Sequence, residues 1–304
     1  MTRPRVSIVI PVLNGMATLP ELLDRLAAQR FDGDVEILAI DSGSRDGSAE
    51  LLRARADLLI EIAPAEFDHG LTRNLGVERA TGDLVVLLVQ DALPASTGWL
   101  RALSEPLRAD STLAGTYARQ VPRPDASGFA RWVLERWAGA SDAPRVSRVP
   151  SREAFLALAP ADRHAVCLFD NVCACIRRSV WLQVPFRSTP IAEDLEWARD
   201  VLLAGFGLAY VPEAVVLHSH DRSVRYEFRR TCLVHRRLAE MFGLRLVPDA
   251  ASLARAVAST TVAHVRHADS LAVLPRALAL GLAWPLGQYL GARAATSAPE
   301  EARS

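Results

Sequence analysis

The side chains whose types and spacing suit joint chemistry are Asp41, Arg73, the pair Gln90-Asp91, the adjacent acids Glu193-Asp194, and His218 with His220. Carboxylates hold divalent cations or take a proton from a hydroxyl group. A neutral imidazole binds Mn²⁺ acceptably and Mg²⁺ poorly. Arg73 sits in His69-Gly70-Leu71-Thr72-Arg73-Asn74, where a helix opening and a guanidinium can both meet an anion. A site lined with acids repels a bare diphosphate, so such a ligand needs a divalent cation between the two. Each group also has a plain structural use. Asp41-Ser42-Gly43-Ser44 is an ordinary turn and cap, and Arg73 reads equally as a surface residue near a helix start. Glu193-Asp194 precedes Leu195, Trp197, Ala198, Val201 and Leu202, as acids often do at a helix N-terminus. Histidines most often serve structure alone.

The elements that must carry these residues are legible from periodicity. Val6-Ser7-Ile8-Val9-Ile10 is a short β-branched run stopped by Pro11, and it reads as a buried strand. Leu19, Leu22, Leu23 and Leu26 then mark one face of a helix. Val35 to Ile40 is a second strand ending at Asp41, followed by a helix from Gly47 to Arg55 and a weaker strand from Leu58 to Ile62. A helix over Thr72 to Ala80 and a strand over Leu84 to Val89, ending at Gln90-Asp91, complete the alternation. Strands that are apolar throughout and alternate with helices imply an α/β fold, with a mostly parallel sheet flanked by helices. In such sheets ligands bind beyond the carboxyl ends of the strands, where Asn14-Gly15, Asp41 and Gln90-Asp91 fall here. Later strands are expected at Leu208 to Val211 and Ala214 to Leu217, the second ending at His218-Ser219-His220. The Pro-, Ala- and Arg-rich stretch 119–164 reads as a lid or acceptor-side insertion, and helices follow after residue 241.

Composition removes several alternatives. The chain has 304 residues and no lysine, so all 35 basic residues are arginine. Schiff-base chemistry and a Walker A loop are thereby excluded. The first strand is followed by Pro-Val-Leu-Asn-Gly-Met and not by G-x-G-x-x-G, which argues against a dinucleotide site. A net charge of +0 gives no sign of nucleic acid. Cys167, Cys173, Cys175 and Cys232 form no C-x-x-C pair and read as buried free thiols. Met1-Thr2-Arg3-Pro4 leads straight into the first strand without a signal peptide, so a cytoplasmic location is expected.

Eight segments in order resemble family-2 glycosyltransferases of the GT-A fold, and within them bacterial rhamnosyltransferases that use dTDP-L-rhamnose. They are VSIVIPVLNG, AIDSGSRDGS, FDHGLTRNLGVERATGD, LLVQDALP, YARQVPRPDA, NVCACIRRSVW, AEDLEWA and HSH, spread over residues 5 to 240. The resemblance implies an inverting transfer of L-rhamnose to a cell-surface polysaccharide or a polyprenyl-linked glycan. It implies that Pro11, Asn14, Asp41, Ser42, Arg73, Gln90 and Asp91 bind the nucleotide sugar. Asp91, with His218 or His220, would hold Mg²⁺ or Mn²⁺. Asp194 matches the general base, with Glu193 as the fallback. The family's D-x-D motif is here Val89-Gln90-Asp91, so the first acid is missing; where many relatives have two acids, this chain has Asp41-Ser42. Two rival readings keep the fold: a UDP- or GDP-sugar donor, or a nucleotide-sugar-binding module without turnover.

The resemblance places a catalytic domain over 1–240 and a helical extension over 241–304. Arg222, Arg225, Arg229 and Arg236 lie near one helical face, with Arg230 and Arg237 beside it. That face is either solvated or directed at a diphosphate or anionic membrane. Leu271 to Tyr289 is apolar but interrupted by Pro275, Arg276 and Pro285, which makes a poor spanning helix. Packing on the domain and lying in the inner face of the plasma membrane both remain open for it.

Overall fold

The computed structural model describes residues 5–295; the reading of Met1-Thr2-Arg3-Pro4 and the last residues of the C-terminal extension lie outside them. Along the chain run β1 (Arg5–Val12), α1 (Leu19–Ala27), β2 (Asp34–Asp41), α2 (Ser48–Arg55), β3 (Leu58–Glu61), α3 (His69–Arg79), β4 (Leu84–Leu88) and β5 (Leu93–Pro94). Then come α4 (Trp99–Ala109), β6 (Leu113–Val121), α5 (Gly128–Glu135), β7 (Arg145–Ser147), α6 (Arg152–Ala157), α7 (Pro160–Val166) and β8 (Cys173–Arg177). The last are α8 (Arg178–Trp181), α9 (Glu193–Leu203), β9 (Gly207–Leu217), α10 (Val224–Phe242), α11 (Ala250–Arg266) and α12 (Leu274–Ala294).

The chain forms two compact units. The first holds residues up to Val121, Ala138–Phe155 and Cys167–His218; the second holds Pro122–Trp137, Leu156–Val166 and the chain from Ser219.

The first unit is a mixed sheet in the order β3-β2-β1-β4-β8-β6-β9-β5, with β7 paired to β9. The strands β3, β2, β1 and β4 are parallel, β8 is antiparallel to both β4 and β6, and β9 is parallel to β6. It follows that β3, β2, β1, β4, β6 and β9 share one direction, and β8 runs against them. Val6 to Ile10 is buried on both faces, as a central strand under two helical layers requires. Contrary to the sequence reading, β1 continues through Pro11 to Val12. Only β2 flanks it there, because pairing with β4 ends at Val9↔Leu87, so the missing proline N–H does little harm. Likewise the two late strands are one, β9, whose register against β6 jumps from Ala118↔Val211 to Arg119↔Val215. Residues 212–214 form the bulge that carries Pro212.

The helix α3 begins at His69, three residues before its expected start. Asp68 caps it, its Oδ1 accepting from the N–H groups of Gly70 and Leu71 at 2.8 and 2.9 Å. Gly76 lets this helix lie close on the sheet. A Cβ there would stand 2.3 Å from Val9 Cγ1 and 3.1 Å from Ile40 Cδ1.

The second unit is helical. In it Gly287 and Gly291 of α12 lie against Thr231 and the Cys232 backbone of α10, and Gly281 lies against Thr261 of α11. The helix α12 runs unbroken through Pro285. Among the described residues no helix is long and apolar enough to cross a membrane. The four cysteines form no disulfide among the described residues; Cys232 is half-buried and the others are buried.

Gly76→Ala tests the approach of α3 to β1. Alanine raises intrinsic helix propensity by about 1 kcal/mol, yet crowding a packed core costs roughly 1–3 kcal/mol. A net loss of roughly 1–2 kcal/mol in urea unfolding is expected; unchanged or higher stability would show that the contact is slack.

Candidate functional site

The shared direction of β1, β2, β4, β6 and β9 brings their carboxyl ends to one edge of the sheet. The antiparallel β8 brings its amino end to that edge, and with it Asp170 and Asn171. The loops after β1, β2 and β4 are tied together there. The N–H groups of Asn14, Gly15 and Met16 donate to Ser44 Oγ, Ser48 Oγ and Asp46 Oδ2 at 2.8, 2.8 and 3.0 Å. In return Asn14 Oδ1 accepts from the Arg45 N–H at 2.9 Å, and Asn14 adopts a left-handed backbone, φ 49°, to do so. The Ser42 hydroxyl donates to the Val12 carbonyl at 3.0 Å. Gln90 uses both ends of its amide on the backbone of Leu13: Oε1 accepts from N–H at 2.8 Å and Nε2 donates to the carbonyl at 3.1 Å. Asn14, Ser42 and Gln90 thus hold the loops in shape, and Pro11 lies within β1.

Asp41 stands among them buried. Its Oδ2 accepts from the N–H groups of Gly43 and Ser44 at 3.0 and 2.9 Å. Its Oδ1 is buried without a hydrogen-bond partner. Leaving a buried carboxylate oxygen unsatisfied costs about 1–3 kcal/mol or more.

After β4 and β9 lie Asp91 and His218, with His218 Nε2 3.7 Å from Asp91 Oδ1. One ligand atom each from Asp91, His218 and His220 fall within 4.8 Å of one another, His220 following His218 by two residues. A carboxylate with imidazoles is a donor set that suits a divalent cation of the Mn²⁺ type. His218 Nδ1 is 2.8 Å from Gln120 Oε1, and Gln120 Nε2 donates to Asp170 Oδ2. The other oxygen of Asp170 accepts from the Val172 N–H at 2.8 Å.

The second cluster joins α3 to α9. Arg73 Nη1 donates to Glu193 Oε1 at 2.9 Å and to the His69 carbonyl at 2.7 Å, and both ionic side chains are buried. Asn171 Nδ2 approaches the same Glu193 oxygen at 3.3 Å. The guanidinium expected to meet a ligand is turned inward on Glu193, although its Nε is buried without a partner. Asp194 follows Ala192, a non-glycine residue at φ 63°, and accepts at Oδ1 from its neighbour's N–H on Leu195 at 2.8 Å. Part of its surface stays open, but its carboxyl is surrounded closely enough for desolvation to push it up to about 8. The charges of Glu193 and Asp170 push the same way, while the Leu195 N–H and Arg73 oppose them.

The structure therefore brings together Asp91, His218 and His220, and separately Arg73, Glu193 and Asp194. Sequence reasoning missed Asp170, Asn171 and Gln120 as members of these clusters. All three lie in or beside segments quoted for the resemblance, but nothing in their spacing shows that the antiparallel β8 brings Asp170 and Asn171 to the edge where β6 carries Gln120.

Comparison with known proteins agrees with this architecture. The profile of Glycosyl transferase family 2 matches residues 7–166. An O-antigen chain rhamnosyltransferase of Salmonella typhimurium, RfbN, is 30% identical over 236 residues, 74% of this chain and 70% of that protein. The O-antigen chain rhamnosyltransferase WbaN of Salmonella anatum is 29% identical over 231 residues, 75% of this chain and 70% of that one. Among solved structures, the mannosyltransferase PcManGT of Pyrobaculum calidifontis, in complex with GDP-Man and Mn²⁺, is similar over 100% of this chain and 79% of its own. The TM-score is 0.56 at 20% identity. Glucosyl-3-phosphoglycerate synthase of Mycobacterium tuberculosis, in complex with Mn²⁺ and UDP, covers 82% of each chain at TM-score 0.57 and 20% identity.

Because its folded pKa is raised above that of an unfolded aspartate, Asp194 carries no penalty below about pH 4 and an increasing one as pH rises through about 8. Asp194→Asn should therefore unfold at a higher temperature than the wild type at pH 9, by at least about 1 kcal/mol of stability. The difference should vanish near pH 4. A difference independent of pH would remove the claimed charge burial.

Proposed function

This chain belongs to Glycosyl transferase family 2 and is a glycosyltransferase, and from that premise we propose that it transfers L-rhamnose with inversion from dTDP-L-rhamnose. The acceptor we propose is a growing cell-surface polysaccharide or its lipid-linked precursor. The names of the Salmonella relatives support the sugar. The observation that carries the chemistry is the unequal pair Glu193-Asp194.

Inversion in one displacement needs a carboxylate that takes the acceptor hydroxyl proton as the oxygen attacks the anomeric carbon. Glu193 is ill suited, because its carboxylate is already bound to Arg73 and Asn171. We therefore assign Asp194 as the base, with Glu193 and Arg73 positioning it. Asp41 Oδ1 would accept from a ring N–H of the base, a contact that thymine and uracil both offer. A divalent cation on Asp91, His218 and His220 would supply neutralisation of the departing nucleoside diphosphate.

For the lipid-linked acceptor, support comes from the exposed arginines Arg225, Arg229 and Arg230 on α10 and the exposed Leu271, Leu278 and Leu282 in and just before α12. Such groups suit peripheral contact with an anionic membrane. The protein should sediment with vesicles containing anionic lipid and not with neutral ones; equal recovery with both, or none with either, removes the contact.

Asp194→Asn should lower kcat by roughly 10²–10⁴-fold while the affinity for dTDP-L-rhamnose, measured calorimetrically, stays within a few-fold. Wild-type kcat should rise with pH to a plateau above about 8, since the base must be unprotonated. Turnover with UDP-glucose or GDP-mannose in preference to dTDP-L-rhamnose would overturn the donor. No turnover with any of them would leave a binding module.

A further inference from the structure

Gln120 lies near the end of β6, nearly buried, and touches two groups that the chain brings in from elsewhere: Asp170 before β8 and His218 after β9. An amide is polar in a fixed sense, a donor at nitrogen and an acceptor at oxygen. Its orientation follows from its partners. Asp170 is a carboxylate whose Oδ1 already accepts from the Val172 N–H, and its Oδ2 accepts as well. The nitrogen of Gln120 must therefore face Asp170, and the oxygen must face His218 at 2.8 Å. An amide oxygen only accepts, so the hydrogen on the imidazole must sit on Nδ1. In the neutral ring the lone pair is then on Nε2, the nitrogen 3.7 Å from Asp91 Oδ1.

We propose that Gln120 is a positioning residue for the cation site, reading the charge of Asp170 and fixing His218 as the Nδ1–H tautomer with Nε2 presented beside Asp91. This rests on the reading of His218 as a metal ligand. Ligating histidines are commonly oriented by such an outer partner, and losing it weakens metal binding about 10–100-fold. Here the anchor lies one step further out, so polarity passes from a carboxylate through an amide to an imidazole. The same Asp170 raises the Asp194 carboxyl, which places one acid between the cation site and the proposed base.

The test begins with the metal-free wild type. Ring ¹⁵N shifts of His218, assigned by comparison with His218→Ala, should report the Nδ1–H tautomer. A protonated Nε2 with bare Nδ1 overturns the proposal without any Gln120 variant. Mn²⁺ alone is then titrated by electron paramagnetic resonance. Gln120→Leu should give mixed tautomers and bind Mn²⁺ roughly 10–100-fold more weakly. The double variant Gln120→Glu with Asp170→Asn exchanges donor and acceptor across the first bond while keeping an acceptor for Nδ1–H. It should recover Mn²⁺ affinity to within about 3-fold of wild type, which a variant damaged only in folding would not do. Wild-type affinity in Gln120→Leu, with affinity lost in His218→Ala, overturns the role of Gln120 and leaves the ligand reading intact. Wild-type affinity in His218→Ala overturns the ligand reading itself, and the purpose assigned to Gln120 with it.

Discussion

The buried ion pair between Arg73 and Glu193 spans 120 residues of sequence and decides how α3 meets α9. Two charges taken out of water must satisfy each other closely, and removing one partner costs about 3–5 kcal/mol. Everything around the pair serves to keep α3 and the approach to α9 in register. Asp68, while capping α3, accepts from the Ser188 hydroxyl at 2.8 Å. Asn74 holds the backbone of Phe186 by both its N–H and its carbonyl. A Cβ on Gly70 would lie 2.2 Å from the Arg187 carbonyl, so only glycine permits that approach. The left-handed Ala192 then turns the chain into α9, a strain of roughly 1–3 kcal/mol that this packing must sustain. With Glu193 matched to Arg73, Asp194 is the acid of the pair to which no cation among the described residues is bonded. Its difficulty in ionising comes first from burial and then from the charges of Glu193 and Asp170.

The direction of β8 explains why acids accumulate here. A sheet parallel throughout would bring only carboxyl ends to this edge. One reversed strand adds its amino end, and Asp170 and Asn171 arrive with it. Asn171 helps to hold Glu193, and Asp170 acts in two directions, on Asp194 through its charge and on His218 through Gln120. The two clusters, far apart in sequence, are coupled through that strand start.

The sequence revealed the parts governed by local periodicity. The apolar runs at Val6, Val35 and Leu84 and the leucine face of Leu19 to Leu26 correspond to β1, β2, β4 and α1. Where a long-range contact decides, local pattern was a poor guide. Pro11 ends no strand because β1 has lost β4 as a neighbour by then, and Pro212 is absorbed in a bulge. The acids and histidines were recognisable by type, but their partners were not. Nothing local tells that Arg73 turns inward to an acid 120 residues away, or that Gln120 stands between Asp170 and His218.

The altered motif Val89-Gln90-Asp91 has a physical explanation of its own. The Val89 N–H donates to the Val172 carbonyl at 3.0 Å, which prolongs the β4–β8 pairing by one residue, and its side chain packs on the hydrophobic core. A carboxylate in that place would be turned into apolar surroundings. Gln90 acts as a substitute strand residue. Its amide exchanges a donor and an acceptor with Leu13, continuing the link between β1 and β4 after their backbone pairing has ended at Val9↔Leu87. Glutamate could accept from the Leu13 N–H but would set a carboxylate against the Leu13 carbonyl, which has no hydrogen to give. The loop geometry therefore requires an apolar residue and an amide before Asp91. If this site holds a cation, Asp91 supplies the negative charge and the end of β9 the remaining ligands, where the His218 ring faces Gln120 and, through it, Asp170.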